Sequence, residues 1–172
     1  VVRMFGGSLV SLWLGLFIAG MVMSMGGAFG ALSCYYGGKV DMVLMRIMDV
    51  FLALPGTILA GAIVGALGPG LVNVLMAMSI CRIPQFARIV RSSVISLRGQ
   101  EFIEAARACG TKDARIILRH IMPNAIGPLV VQATLNMATT ILGVAGLSFI
   151  GLGIEAPIPE WGSMLSEARD QM

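Results

Sequence analysis

Three long stretches of this chain carry no charge. Met4 to Gly38, Val50 to Cys81 and Ile121 to Ile154 contain no Asp, Glu, Lys or Arg, over 35, 32 and 34 residues. Roughly 20 apolar residues cross the ~30 Å of hydrocarbon in a bilayer. A charge at a span's centre costs about 2.5–3.5 kcal/mol on the insertion scale, so charge-free runs of this length favour insertion strongly. The pattern predicts an all-α integral membrane protein, a polytopic helical bundle with about four spans at residues 8–32, 50–67, 71–88 and 124–150.

Turn signals divide the runs. Gly68-Pro69-Gly70 splits the second run into two antiparallel spans. Pro55 falls inside the expected span 50–67, where neighbouring helices can re-satisfy the carbonyl it frees. Gly127-Pro128 marks a bend near the start of 124–150. Gly26-x-x-x-Gly30, Gly15-x-x-x-Ala19 and Gly61-x-x-x-Gly65 are candidate sites of close helix approach. Tyr35-Tyr36-Gly37-Gly38 reads as an interfacial turn. Lys39 to Asp49 reads as the amphipathic, wet end of a span. The tail from Gly151 holds Pro157, Pro159 and Trp161 with Glu155, Glu160, Glu167 and Asp170, and reads as an aqueous segment beginning at an aromatic anchor.

Between the second and third runs lies the one long polar stretch. Arg82 to His120 holds eight of the chain's twelve Lys and Arg, opposed by Glu101, Glu104 and Asp113. Positive charge collects on cytoplasmic loops, so residues 89–123 are expected in the cytoplasm and the uncharged Gly68–Gly70 turn outside. Alternation then puts the Lys39–Asp49 corner inside and the tail outside.

Two short helices fit the loop. Gln100 to Cys109 places Phe102, Ala105, Ala106 and Cys109 on one face and Glu101, Glu104 and Arg107 on another. Gly110 suits the left-handed residue that ends a helix. Thr111 can cap a second helix, with Asp113 in its first turn at the positive end of the dipole. Ala114, Ile117, Leu118 and Ile121 would form that helix's apolar stripe, and Pro123 would end it. Two readings of the loop stand level on pattern alone: a lever lying across the cytoplasmic ends of the spans to dock a partner, and a plain amphipathic connection.

Composition narrows the function classes. With 57% hydrophobic and 12% charged residues and a mean hydropathy of +0.89, an ordinary soluble domain is excluded. Nucleic-acid binding is disfavoured because the basic loop is wedged between spans and has only Phe86 and Phe102 as aromatics. Cys34, Cys81 and Cys109 are scattered without metal-ligand spacing and read as reduced thiols. His120 is the single histidine, with no paired His or Asp inside a span, which argues against an intramembrane enzyme. No GxxxxGK[ST] loop is present, so no nucleotide cofactor is expected in this chain. An ion-coupled secondary transporter usually carries ionisable groups inside its spans, and the three apolar runs have none. A non-catalytic membrane assembly protein is the plainest alternative to transport.

Glu104-Ala105-Ala106, then Gly110, then Pro123 thirteen residues further on, resembles the EAA loop of ABC importer permeases. The chain departs from that pattern at His120 and Met122, where the family has Ile and Leu. Tyr35-Tyr36-Gly37-Gly38, Leu67-Gly68-Pro69-Gly70, Arg119 to Asn124, Leu147 to Gly153, Pro157 and Trp161-Gly162 extend the likeness to the second-type permease of the dipeptide, oligopeptide and nickel class. Arg82-Ile83-Pro84 departs where a Gly-Trp-Pro-like triplet is common. The resemblance implies a six-span permease of which this chain carries about four, in a bacterial or archaeal plasma (inner) membrane. It implies a homologous permease subunit as heterodimer partner, two cytosolic ATPase subunits that hold ATP and Mg, and an extracytoplasmic substrate-binding protein. It assigns ATPase coupling to Glu104, Ala105, Ala106, Gly110 and Pro123, and leaves dipeptide, oligopeptide, nickel and glutathione open as substrates.

The orientation is testable by itself. Lys112 is expected to react with a membrane-impermeant amine reagent in inside-out vesicles and to stay unlabelled in intact cells; labelling from outside only would reverse the topology.

Overall fold

The computed structural model describes residues 2–154 and 158–170, the side chains of Val2 and Asp170 apart. Glu155 and Pro157 lie outside the described residues. All regular structure among the described residues is helical: α1 (Val2–Tyr36), α2 (Gly38–Leu52), α3 (Gly56–Leu67), α4 (Leu71–Arg98), α5 (Glu101–Ala108), α6 (Asp113–Ile116), a π-turn (Ile117–Ile121), α7 (Met122–Phe149) and α8 (Trp161–Asp170).

The bundle is built on α1 against α4. A Cβ added at Gly26 would stand 3.1 Å from the Ile83 carbonyl oxygen, and one at Gly30 would overlap the Ala87 carbonyl oxygen. Gly26-x-x-x-Gly30 is therefore a true contact stripe, where missing side chains let two backbones touch. The pairing register rises together along both helices: Met21 meets Ser79, Gly30 meets Ala87 and Cys34 meets Arg98. The two helices thus run parallel. α7 runs the other way, since Gly15 faces Ile141 while Met78 faces Gly143 and Arg82 reaches Thr139.

These directions fix which loops share an end. The α1–α2 corner and the α4–α5 link lie together at one end. At the other, the Gly70 N–H donates to the Gly153 carbonyl at 3.2 Å, and α8 lies beside the start of α1. There Trp161 Nε1 donates to Ser8 Oγ at 3.3 Å, and Arg3 pairs with Glu167. The expected alternation therefore matches the packing. Glu160 departs from its expected aqueous place: it is buried, and Oε2 accepts the Gly162 N–H at 3.0 Å as α8 begins.

The span boundaries needed correction. Residues 50–67 are not one helix. α2 ends at Leu52 and α3 begins at Gly56, with an 82° bend between them. Pro55 causes it, because proline drives the preceding residue out of the helical region and supplies no N–H. The expected span 71–88 continues to Arg98, with Pro84 inside the helix. Pro128 lies within α7, whose helix continues through it. By length and composition two helical stretches can cross a membrane, Arg3–Tyr36 and Asp113–Phe149, or three if the bent pair counts as one. α4 falls outside that set, yet it packs against α1, α2, α3 and α7 and buries ten residues from Val74 to Val94. A helix ringed by other helices does not face lipid and tolerates more polar residues.

Gly65 separates real contact from chance spacing. Nothing lies within 4 Å of a Cβ built there, whereas Gly61 faces Leu147 and Leu152. Gly30→Leu is expected to cost about 2 kcal/mol or more by forcing α1 off α4. Gly65→Ala should leave stability unchanged. Thermal unfolding in detergent reads both, and equal midpoints would remove the contact from the structure's foundation.

Candidate functional site

The polar stretch folds back on the end of the bundle that α1 and α4 share. α5 ends in a Schellman motif: the Gly110 N–H donates to the Arg107 carbonyl at 2.9 Å and the Thr111 N–H to the Ala106 carbonyl at 3.1 Å. This requires Gly110 at φ +73°, a conformation costly for any residue with a Cβ. The expectation for Gly110 thus holds. The one for Thr111 does not, since Lys112 precedes α6 and no side chain caps that helix.

The faces of α5 differ from the sequence reading. Ile103 is 0% exposed and anchors the helix in the core, with Ala106 half-buried behind it. Of the four residues expected on one face, Phe102, Ala105 and Cys109 are exposed together with Glu101 and Glu104, and Ala106 alone turns inward. Ile103, which that face left out, is the residue the helix buries.

The second helix differs more. Ile116, Ile117 and Ile121 are buried, while Ala114 is exposed and Leu118 is 72% exposed. Pro123 ends nothing: α6, the π-turn and α7 form one continuous helix in which Pro123 occupies the first turn of α7. The extra residue in the π-turn resets the helical phase. From Ile117 the buried stripe then continues through Ile121, Ala125, Leu129 and Ala133 without a break.

Side chains clamp the loop to α1. Tyr35, which is buried, donates its hydroxyl hydrogen to Asp113 Oδ1 at 2.5 Å, and the Arg107 guanidinium lies over its ring at 5.2 Å. Arg98 donates to the Cys34 carbonyl at 2.9 Å. Arg91 holds Asp41 with two hydrogen bonds, at 2.6 and 2.5 Å, and the Ser33 hydroxyl donates to the same carboxylate. Arg88 pairs with Asp49. Sequence reasoning counted these arginines as net charge and missed their partners, because the partners lie 39 and 50 residues away.

The structure therefore brings Glu104, Ala105 and Ala106 together on one short, pinned helix, with Gly110 just past its end. Ala106 turns inward as an anchor. Pro123 sits apart on α7. Exposed on α5 are Glu101, Phe102, Glu104, Ala105 and Ala108, with Cys109 beyond them and Arg107 held over the Tyr35 ring. A helix held from behind, with a smooth acidic and aromatic face, is suited to seat in another protein's cleft. Among the described residues no group of three metal-binding side chains occurs.

Comparison with known proteins bears on this arrangement. Residues 23–169 match the model of the family described as binding-protein-dependent transport system inner membrane component. The chain is 50% identical over 167 residues to the dipeptide transport system permease protein DppC of Alkalihalophilus pseudofirmus, covering 97% of this chain and 55% of that one. It is 45% identical over 170 residues to the glutathione transport system permease protein GsiD of Escherichia coli, covering 99% and 56%. The chain thus spans about half the length of these relatives. Inward-facing structures of the MetNI methionine ABC transporter share the fold. One superposes with a TM-score of 0.76 at 20% identity over 94% of this chain and 83% of that one. A second gives 0.79 at 19% identity over 99% and 90%.

The Asp41–Arg91 pair gives a pH-dependent signature at the polar corner outside the spans. The Arg91 hydrogen bonds hold the Asp41 carboxyl at about 2, against an ordinary 3.8; burial opposes them and Ser33 adds to them. A depressed carboxyl contributes stability that is fully present above about pH 4 and is lost as pH falls through about 2. Asp41→Asn should therefore unfold at lower temperature than the parent at pH 7, and the gap should close between pH 4 and pH 2. A gap independent of pH would remove the pair from the clamp.

Proposed function

Because the chain belongs to the family of binding-protein-dependent transport system inner membrane components, we propose that it acts as the membrane-spanning permease subunit of an ATP-driven importer. Its cargo is a peptide or a related small solute. The printed functions of the two relatives, dipeptide and glutathione transport, support that class. The setting is the inner membrane of a bacterium or archaeon. The chain pairs there with a homologous permease subunit, and an extracytoplasmic binding protein delivers the solute.

The energy comes from two cytosolic ATPase subunits, which hold ATP and Mg. They grip α5. The observation that carries this reading is the opposition of faces on α5: Ile103 fully buried behind, Glu101, Phe102, Glu104 and Ala105 exposed in front. An anchored helix transmits a push, whereas a loose loop absorbs it. Closure of the ATPases displaces α5, and the Tyr35–Asp113 and Arg98–Cys34 bonds carry that displacement into α1 and α4. Glu104, Ala105 and Gly110 form or shape the seat, Ala106 holds it from behind, and Pro123 lies where the loop re-enters the bundle.

Glu104→Arg and Gly110→Leu in the assembled importer test the assignment. Each is expected to lower uptake and substrate-stimulated ATP hydrolysis by about tenfold, as for loss of an interface contact worth ~1.4 kcal/mol. Insertion into the membrane should be unchanged, since both residues are exposed. Normal uptake in both variants would remove the role of α5.

A further inference from the structure

The bend between α2 and α3 opens a cavity of about 220 Å³ against α4. Leu52 and Met78 give it apolar walls, while Thr57, Arg82 and Gln85 give it polar ones. Gly56, the first residue of α3, lines it as well, and a Cβ there would lie 4.0 Å from Cys81, the neighbour of Arg82. The start of α3 and the turn of α4 that carries Arg82 therefore face one space.

Arg82 is the unusual member. It is half-buried, and its Nη2 donates to the Thr139 carbonyl at 3.2 Å. A guanidinium has five N–H donors in a planar fork that matches a carboxylate. Further along α4, Arg88 and Arg91 have carboxylate partners in Asp49 and Asp41. Among the described residues no carboxylate lies within ion-pair distance of Arg82. A cation at membrane depth is costly and is kept where it pairs or meets a solute.

The opposite wall has the same sign. The Pro55 carbonyl accepts the N–H groups of Ile58 and Leu59, and no side chain caps the Gly56 and Thr57 end of α3. That end carries the positive pole of the helix. Broken helices in transporters present such ends to anionic groups.

We infer that this cavity is a carboxylate-binding subsite on the transport path, in which Arg82 takes the carboxylate of an anionic solute such as a short peptide's free C-terminus. It rests on the importer reading and narrows its cargo to carboxylate-bearing solutes. The volume holds a carboxylate and the residue that bears it, not a whole peptide, so the remaining contacts come from elsewhere on the path. The guanidinium disfavours a bare divalent cation at the same place.

The test uses the complete importer, with full-length permease, in proteoliposomes of zwitterionic lipid. Uptake of trialanine is compared with that of its C-terminal amide. The parent should prefer the acid. Arg82→Gln should reduce that preference about tenfold, the scale of one charge-assisted hydrogen-bonded contact, and Arg82→Lys should keep most of it. Gln85→Glu, at an exposed position lining the cavity, supplies a competing carboxylate and should reduce the preference likewise. If the Arg82→Gln complex does not assemble, Gln85→Glu alone decides. An unchanged preference overturns the inference. So does an equal loss for both probes, as expected of a packing defect or a lipid phosphate on Arg82. Uptake of neither probe by the parent overturns the peptide cargo on which the inference rests.

Discussion

Everything in this bundle depends on two backbones being allowed to touch. At Gly26 and Gly30, α1 lies so close to α4 that a single methyl group would collide with the opposing main chain. In lipid the hydrophobic effect gives little reason for helices to associate, so close van der Waals packing between small residues must supply it. The contact also fixes a direction. Once α1 and α4 run parallel, the segment between them must cross and return, and both of their last turns must emerge at the same end. The polar corner, α5 and α6 are all stacked on that end.

The basic stretch then takes on a different meaning. As a sum of charges it is the pattern expected of a cytoplasmic loop. As a set of contacts it is mostly spent inside the molecule: Arg88 on Asp49, Arg91 on Asp41, Arg98 on the Cys34 carbonyl and Arg107 on the Tyr35 ring. Exposed ion pairs of this kind are individually weak. Several of them on one corner restrain α1, α2, α4 and the loop together, which a single apolar contact could not do in a water-facing layer. The surface left outward on α5 is acidic and aromatic rather than basic, so any partner seated there meets Glu101, Glu104 and Phe102.

The sequence was legible where one property dominates its neighbourhood. Charge-free runs announced the membrane helices, Gly68-Pro69-Gly70 announced the turn between α3 and α4, and Gly110 announced the end of α5. Two further signals needed the third dimension. Gly26-x-x-x-Gly30 and Gly61-x-x-x-Gly65 are the same pattern, yet Gly30 is packed against backbone and nothing lies within 4 Å of Gly65. Pro55, Pro84, Pro123 and Pro128 are the same residue, yet only Pro55 separates two helices. Exposure does not decide between them, since Pro123 and Pro128 are exposed like Pro55 while Pro84 is buried; Pro123 is tolerated because it sits in the first turn of α7. On α5 the expected stripe of Phe102, Ala105, Ala106 and Cys109 left out Ile103, the residue that the fold buries.

The π-turn joins these threads. A straight α-helix from Asp113 would carry its apolar stripe off the core within a few turns, and the chain would have to choose between packing the loop and packing the span. One widened turn at Ile117–Ile121 removes the conflict, so a single helix keeps Ile116 under α5 and Leu129 inside the bundle. α4 is continuous in the same way, carrying Arg82 at the cavity and Arg98 at the loop. Sixteen helical residues separate these two arginines, about 24 Å at 1.5 Å per residue. In the proposed importer, both rods that reach α5 are continuous helices, α4 passing through Pro84 along that length. The break between α2 and α3 at Pro55 lies beside the cavity.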